Sequence, residues 1–215
     1  MSTRRRWVGT GDRTVDALAE SRRNEIVDAT WRLIATIGLE QTTMRRIADD
    51  VGCTTGLVTH YFASKDDVLL AALQKITETS TARMREATRG AAGLERLRLL
   101  VLAALPLDEA RMLEWRVWLA FWGRAYSSPR LRKEQEARYR RWRRAVHRAL
   151  ADAVALEEVP ADTDVNAEAT HLVAIILGLT VDRIVGGQAG RTDATVAAVD
   201  RHLARLAGRH WAELA

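Results

Sequence analysis

Apolar positions recur along this chain at steps of three and four, the period that gathers them on one side of an α-helix. Ile26, Val27, Thr30, Leu33, Ile34 and Ile37 form the first such stripe, in a segment that starts near Arg22 and stops at Gly38. Met44, Ile47, Ala48 and Val51 form a second, with Thr43 placed to cap the free amides and Gly52 to close the turn. A short third helix is expected from Thr54 or Thr55 to Tyr61, and "SKDDVLLAAL" opens a fourth that reaches about Thr88. Ser64 and Asp67 have the spacing of a serine cap with an acid three residues on, and Asp66 and Asp67 suit the positive end of that helix. Longer helices follow over Leu94–Leu105, Asp108–Tyr126, Pro129–Leu156, Asp164–Val185 and Asp193–Trp211. No run alternates long enough for a strand, and Pro106, Pro129 and Pro160 sit where the helical period breaks. The expected fold is all-α, with about nine helices.

A helix, a tight turn at Gly52 and a short helix make a helix-turn-helix, whose second helix enters the major groove of DNA. That reading explains the stretch "CTTGLVTHYFASKDD", Cys53 to Asp67. A recognition helix is held from behind while its front stays polar. Leu57, Val58 and Phe62 supply the back; Thr54, Thr55, Gly56, Thr59 and His60 are left for base edges and phosphates. Gly56 has no side chain to keep the backbone from the duplex, and Lys65 opens the next helix, where charge and free amides suit a phosphate.

The run "TTMRRIADDVGCTTGLVTHYFASKDDVLLAAL" resembles the DNA-binding segment of the TetR family of bacterial repressors, over Arg22 to about Leu73. The resemblance rests on Ile47-Ala48, Gly52, Tyr61-Phe62 and Ser64-Lys65 at these spacings. By motif position it implies Thr43, Arg45, Thr55, Gly56, Thr59, His60, Tyr61 and Lys65 as the DNA-facing residues. Thr59 departs from the pattern, standing where many members carry a tyrosine. The segments "WRVWLAFWGRAYSSPRLRKEQ" and "LVAIILGLTVDRIVGG" resemble the C-terminal domain of BetI-like regulators, some of which respond to choline. Three parts are expected: a mobile basic arm over residues 1–20, a helix-turn-helix domain over 21–68, and a helical ligand-binding and dimerisation domain over 69–215. The arm carries Arg4, Arg5, Arg6 and Arg13, placed either along phosphates or the minor groove, or idle as a tail.

Composition changes this picture little. The 215 residues are 47% hydrophobic and 28% charged, the balance of a folded chain. The net charge of +5 fits an acidic partner only in a general way, so DNA specificity must come from placement. Cys53 is the single cysteine, which excludes an internal disulfide and fits a reducing compartment. No apolar run follows the basic start "MSTRRRW", and "HLVAIILGLTV" is too short to span a bilayer; the expected location is the cytoplasm.

Trp115, Trp118, Phe121 and Trp122 lie on one helix, with Tyr139 and Trp142 on the next. Their spacing fits both core packing and the wall of a ligand pocket, where aromatic faces attract quaternary ammonium groups. The candidate pocket set is Trp115, Trp118, Phe121, Trp122, Trp142 and Asp182, with Glu114 a further counter-charge for a cationic effector; an aromatic or hydrophobic effector is the other option. The charges of "RYRRWRRAVHR", Arg138 to Arg148, wrap most of a helix and read as a solvated face. His171, His202 and His210 lack ligand spacing, so no metal is expected, nor any cofactor. No nucleophile–base set or glycine-rich phosphate loop is present in a recognisable context, so catalysis is not expected.

The last two helices are apolar on more than one face. Leu172, Val173, Ile175, Ile176, Leu179, Val181, Ile184 and Val185 are joined by Val196, Val199, Leu203 and Leu206, and Gly178 permits close backbone approach. A homodimer through these helices is expected. The sequence therefore reads as a ligand-responsive transcriptional repressor that binds a near-palindromic DNA operator as a dimer and leaves it when a small molecule binds. A transcriptional activator, and a helical small-molecule-binding protein with no DNA role, are the alternatives.

Overall fold

The computed structural model describes residues 10–186 and 192–208, with side chains from residue 16 onward. Among the described residues there are nine helices and no strand. They are α1 (Thr10–Ile37), α2 (Met44–Val51), α3 (Thr55–Tyr61), α4 (Lys65–Ala87), α5 (Gly93–Ala104), α6 (Glu109–Ser127), α7 (Pro129–Ala155), α8 (Val165–Val185) and α9 (Thr192–Ala207). No helix among them is long and apolar enough to cross a membrane. The chain divides into two compact units, residues 1–73 and 74–215, with the dividing point inside α4.

One expectation needs correcting. α1 begins at Thr10, so residues 10–20 are helical rather than part of an arm. Leu18, the one large apolar side chain described in this extension, is 70% exposed and is not held by packing. Once the buried part of α1 has formed, adding further residues costs little, because only the first turn of a helix is expensive to nucleate. Residues 1–9, with Arg4, Arg5 and Arg6, lie outside the described residues, as do the side chain of Arg13 and all of His210.

In the first unit, Ile26, Val27 and Ala29 of α1 meet Ile47 and Ala48 of α2, Val58 of α3, Phe62, and Val68 and Ala72 of α4. These side chains are almost wholly buried, and burying one the size of valine, isoleucine or phenylalanine contributes about 1.5–3 kcal/mol. Arg32 of α1 pairs with Asp50 of α2 at 2.7 Å on the rim of that core.

In the second unit, the core joins α5, α7, α8 and α9 through Leu94, Leu97, Val101, Val146, Leu150, Leu172, Ile176, Val199 and Leu203. Polar ties cross it. Arg98 of α5 clasps Asp200 of α9 with both sides of its fork, at 2.6 and 3.0 Å. Arg183 of α8 is 3% exposed and donates to the Pro106 carbonyl at 2.9 Å and to the hydroxyls of Thr195 and Thr192, both at 3.2 Å. Gly93, at φ +52°, opens α5, and the Glu158 carboxylate accepts from the Leu94 N–H at 2.7 Å. A side chain on Gly93 would collide with that carboxylate, since its Cβ would stand 1.9 Å from Oε2.

Candidate functional site

The turn between α2 and α3 is fixed by backbone caps. Thr43 holds an extended conformation and its hydroxyl accepts from the Arg46 N–H at 3.2 Å, satisfying an amide at the start of α2. Gly52 adopts the left-handed conformation, φ 72° and ψ 39°, that ends a helix at little cost only for glycine. Two residues later Thr54 caps α3, accepting from the Leu57 N–H at 3.2 Å. The next helix starts with the reciprocal cap expected of Ser64 and Asp67: the Ser64 hydroxyl accepts from the Asp67 N–H at 3.2 Å and donates to its carboxylate at 2.7 Å.

These caps set which side of α3 is buried. Val58 is fully buried and Phe62 nearly so, with the Arg23 guanidinium 5.2 Å from the Phe62 ring centre; Leu57 is half-buried. Thr55, Gly56, Thr59 and His60 are exposed, as are Thr43 and Arg45 at the start of α2. A Cβ on Gly56 would meet only the Thr54 hydroxyl, at 3.8 Å, so packing within the chain does not demand glycine there. The Thr59 hydroxyl donates to the Gly56 carbonyl at 3.0 Å and keeps lone pairs free to accept. Tyr61 is half-buried, edge-on to His60 with 5.3 Å between ring centres. Lys65 is the residue whose situation the sequence did not reveal: it is half-buried and its ammonium donates to the Leu39 carbonyl at 2.7 Å.

Within the second unit lies a cavity of about 460 Å³ whose wall is built from the C-terminal half of α4 and from α5, α6 and α7. Trp115, Trp118 and Trp142 line it. The indole N–H of Trp115 donates to the Ala104 carbonyl at 2.8 Å, while that of Trp142 is buried and has no acceptor among the described residues. Phe121 is buried but does not line the cavity; its ring meets Trp118 edge-on, 6.4 Å between centres. Trp122 lines a second, more open hollow of about 510 Å³, shared with Tyr139, Arg143 and Leu177. Asp182 is exposed on α8 and lines neither. The buried stripe of α8 runs Leu172, Ile176, Thr180, Arg183, which turns the neighbouring Asp182 toward solvent.

Glu114 does line the cavity, but it is not free: both its oxygens accept from Arg83, at 2.9 and 2.7 Å. This hydrogen-bonded pairing holds the Arg83 guanidinium above its usual pKa against the opposing effect of burial. The arginine-rich run on α7 also departs from expectation. Arg138, Arg141, Arg144 and Arg148 share the cavity wall with Trp142 and Ala145 rather than forming only a solvated face. The signal was present in the spacing, because Arg138, Arg141, Trp142, Ala145 and Arg148 recur at helical steps.

Comparison with known proteins agrees with this geometry. Residues 26–72 match the bacterial regulatory proteins of the tetR family, and residues 93–208 match the BetI-type transcriptional repressor C-terminal domain. The HTH-type transcriptional regulator PksA of Bacillus subtilis is 35% identical over 103 residues, 47% of this chain and 50% of that protein. The regulator BetI of Burkholderia thailandensis is 35% identical over 129 residues, 58% of this chain and 65% of that protein. The chain thus spans half to just under two thirds of these curated relatives. A solved structure from Saccharomonospora viridis, described as a transcriptional regulator in complex with choline, is 27% identical, with a TM-score of 0.80 over 85% of this chain and 95% of that one. A TetR regulator from Haloarcula marismortui shares the fold at 20% identity, with a TM-score of 0.79 over 88% of this chain and 100% of that one. The chain belongs to the TetR family of bacterial regulatory proteins, in the group with a BetI-type C-terminal domain.

Proposed function

We propose that this chain is a ligand-responsive transcriptional regulator, acting as a repressor, that binds a near-palindromic operator through α3. The observation that carries this reading is the division of α3: a back sealed by Val58 and a front on which Thr55, Gly56, Thr59 and His60 are exposed together. Residues 21–68 are the DNA-binding part and 69–215 the ligand-binding and dimerisation part. Thr43, Arg45, Tyr61 and Lys65 position the helix on phosphates, and Thr55, Thr59 and His60 meet base edges. Work on a chromosomal operator puts the protein in the cytoplasm.

Two copies join through α8 and α9. Supporting this, Val181 and Val185 of α8 are 39% and 74% exposed, and a Cβ on Gly178 would meet nothing within 4 Å of this chain. A dimer presents its α3 helices to successive major grooves, about 34 Å apart. The effector occupies the cavity lined by Trp115, Trp118 and Trp142. Because α4 contributes Thr77, Ser80, Thr81 and Met84 to that cavity and starts at Lys65, a ligand that displaces α4 alters the separation of the two α3 helices. Selection of bound DNA from a random pool tests the reading: a two-fold symmetric site should emerge, and recovery of no enriched sequence would defeat it.

A further inference from the structure

The cavity wall is strongly unbalanced in charge. Among the described residues it carries seven arginines and one carboxylate, Glu114, which Arg83 already occupies on both oxygens. Arg141 has a partner in Glu134 at 3.4 Å, and Arg96 has one in Asp152 at 3.8 Å. Arg138 has none. Its guanidinium carbon lies 3.2 Å from the centre of the Trp118 ring, and its Nε is shut away from solvent with no acceptor among the described residues. Burial pushes the Arg138 pKa down to about 9, which leaves it cationic at neutral pH. The Trp142 N–H, on the next turn of α7, is also buried without an acceptor.

Two consequences follow for a ligand. A quaternary ammonium seeks the face of an aromatic ring, but the Trp118 ring is already stacked by the chain's own guanidinium, and the arginines around Trp115 and Trp142 oppose a cation there. An anion meets the opposite situation. The desolvated Arg138 guanidinium and an unsatisfied indole N–H gain hydrogen bonds and charge compensation when an acceptor arrives, and the exposed Arg141, Arg144 and Arg148 add charge at the rim. Trp115, Met84 and Leu100 offer an apolar wall for the rest of the molecule. We propose that this cavity binds a small aryl carboxylate, with its anionic head against Arg138 and the neighbouring arginines of α7 and its flat body among the tryptophans. The inference deepens the reading of the cavity as the effector site and rests on it for any regulatory meaning.

Calorimetric titration of the full chain with 1-naphthoate, its neutral isostere 1-naphthamide and choline, at one ionic strength, tests the assignment. Naphthoate should bind, the amide at least about tenfold more weakly, and choline more weakly still. Arg138→Gln should bring naphthoate close to the amide, while Arg140→Gln, which lines only the other hollow, should leave the preference intact. Arg144→Gln should lower the preference part-way and serves if the first variant does not fold. Equal binding of acid and amide, tighter binding of choline, or no heat from naphthoate at millimolar concentration would overturn the proposal. DNA retardation by the ligand-free protein is measured on the same preparation. Naphthoate binding by a protein that ignores DNA would remove the regulator and keep the anion site; DNA binding without naphthoate binding would do the reverse.

Discussion

Lys65 donates its ammonium to the carbonyl of Leu39 at 2.7 Å, closing a contact between residues 26 apart in sequence. The bond ties the start of α4 to the segment between α1 and α2, so this lysine stabilises the first unit, and the phosphate contact proposed for it would draw on the same ammonium. An ammonium has three donors, and one is committed here.

Lys65→Ala is therefore expected to act twice. Loss of a charge-assisted bond to a half-buried carbonyl should lower stability by about 1–2 kcal/mol, read as a drop in denaturation midpoint. Binding to operator and to random DNA should weaken together, with the salt slope smaller by about 1. An unchanged slope with lowered stability would confine Lys65 to its structural task.

Thr55 and His60 should behave differently, because both are exposed and neither is needed by the core. Thr55→Ala and His60→Ala are expected to cost about 1–3 kcal/mol on operator DNA in gel retardation, with random DNA and the melting temperature nearly unaffected. Gly56→Leu should also fold, given the open space around that position, yet lose operator binding through the bulk it pushes toward the duplex.

Gly178 offers a test of assembly that spares the fold. Gly178 is exposed and a Cβ added there meets nothing within 4 Å in this chain, so leucine is accommodated on the surface and favours the helix by roughly 0.8 kcal/mol. Sedimentation should nevertheless show a weakened dimer. A dimer of undiminished affinity would move the interface away from this part of α8.

His202 gives a pH signature. It is pushed below its ordinary pKa of 6.5 chiefly by burial, with Arg205 and His171 adding to that and Glu168 opposing it. Below pH 6.5 the unfolded chain takes up a proton that the folded one resists, so stability falls as pH falls through that window. His202→Gln should flatten this part of the curve in thermal melts between pH 7 and about 5.5. An equally steep loss in the variant would assign it to other groups.

Much of this architecture was visible in the apolar period. Each helix from α2 to α8 was anticipated close to where it stands, because caps such as Thr43, Gly52, Ser64 and Asp164 coincide with changes in that period. What escaped was of two kinds. The extension of α1 back to Thr10 depends on propagation from a packed segment, which leaves no stripe to read. The place of Asp182 depended on helix phase, where one residue means about 100° of rotation: it faces solvent and lines neither cavity, while its neighbour Arg183 is buried in the core and satisfied by neutral oxygens of Pro106, Thr192 and Thr195. On α7 the charge run reads as a solvated face, and Arg140, Arg141, Arg143, Arg144 and Arg148 are indeed exposed; what only the fold shows is that Arg141, Arg144 and Arg148 also rim a cavity, with Arg138 turned onto Trp118.

The Glu158 carboxylate that completes the beginning of α5 has a bearing on how this protein is made. It lies 64 residues downstream of the Leu94 amide it accepts from. During synthesis the chain emerges in order, so α5 leaves the ribosome long before its capping group exists, and the left-handed turn at Gly93 has nothing to anchor it. The start of α5 is therefore secured only after residue 158 has been made, and a chain cut short of it would leave the Leu94 amide without this acceptor.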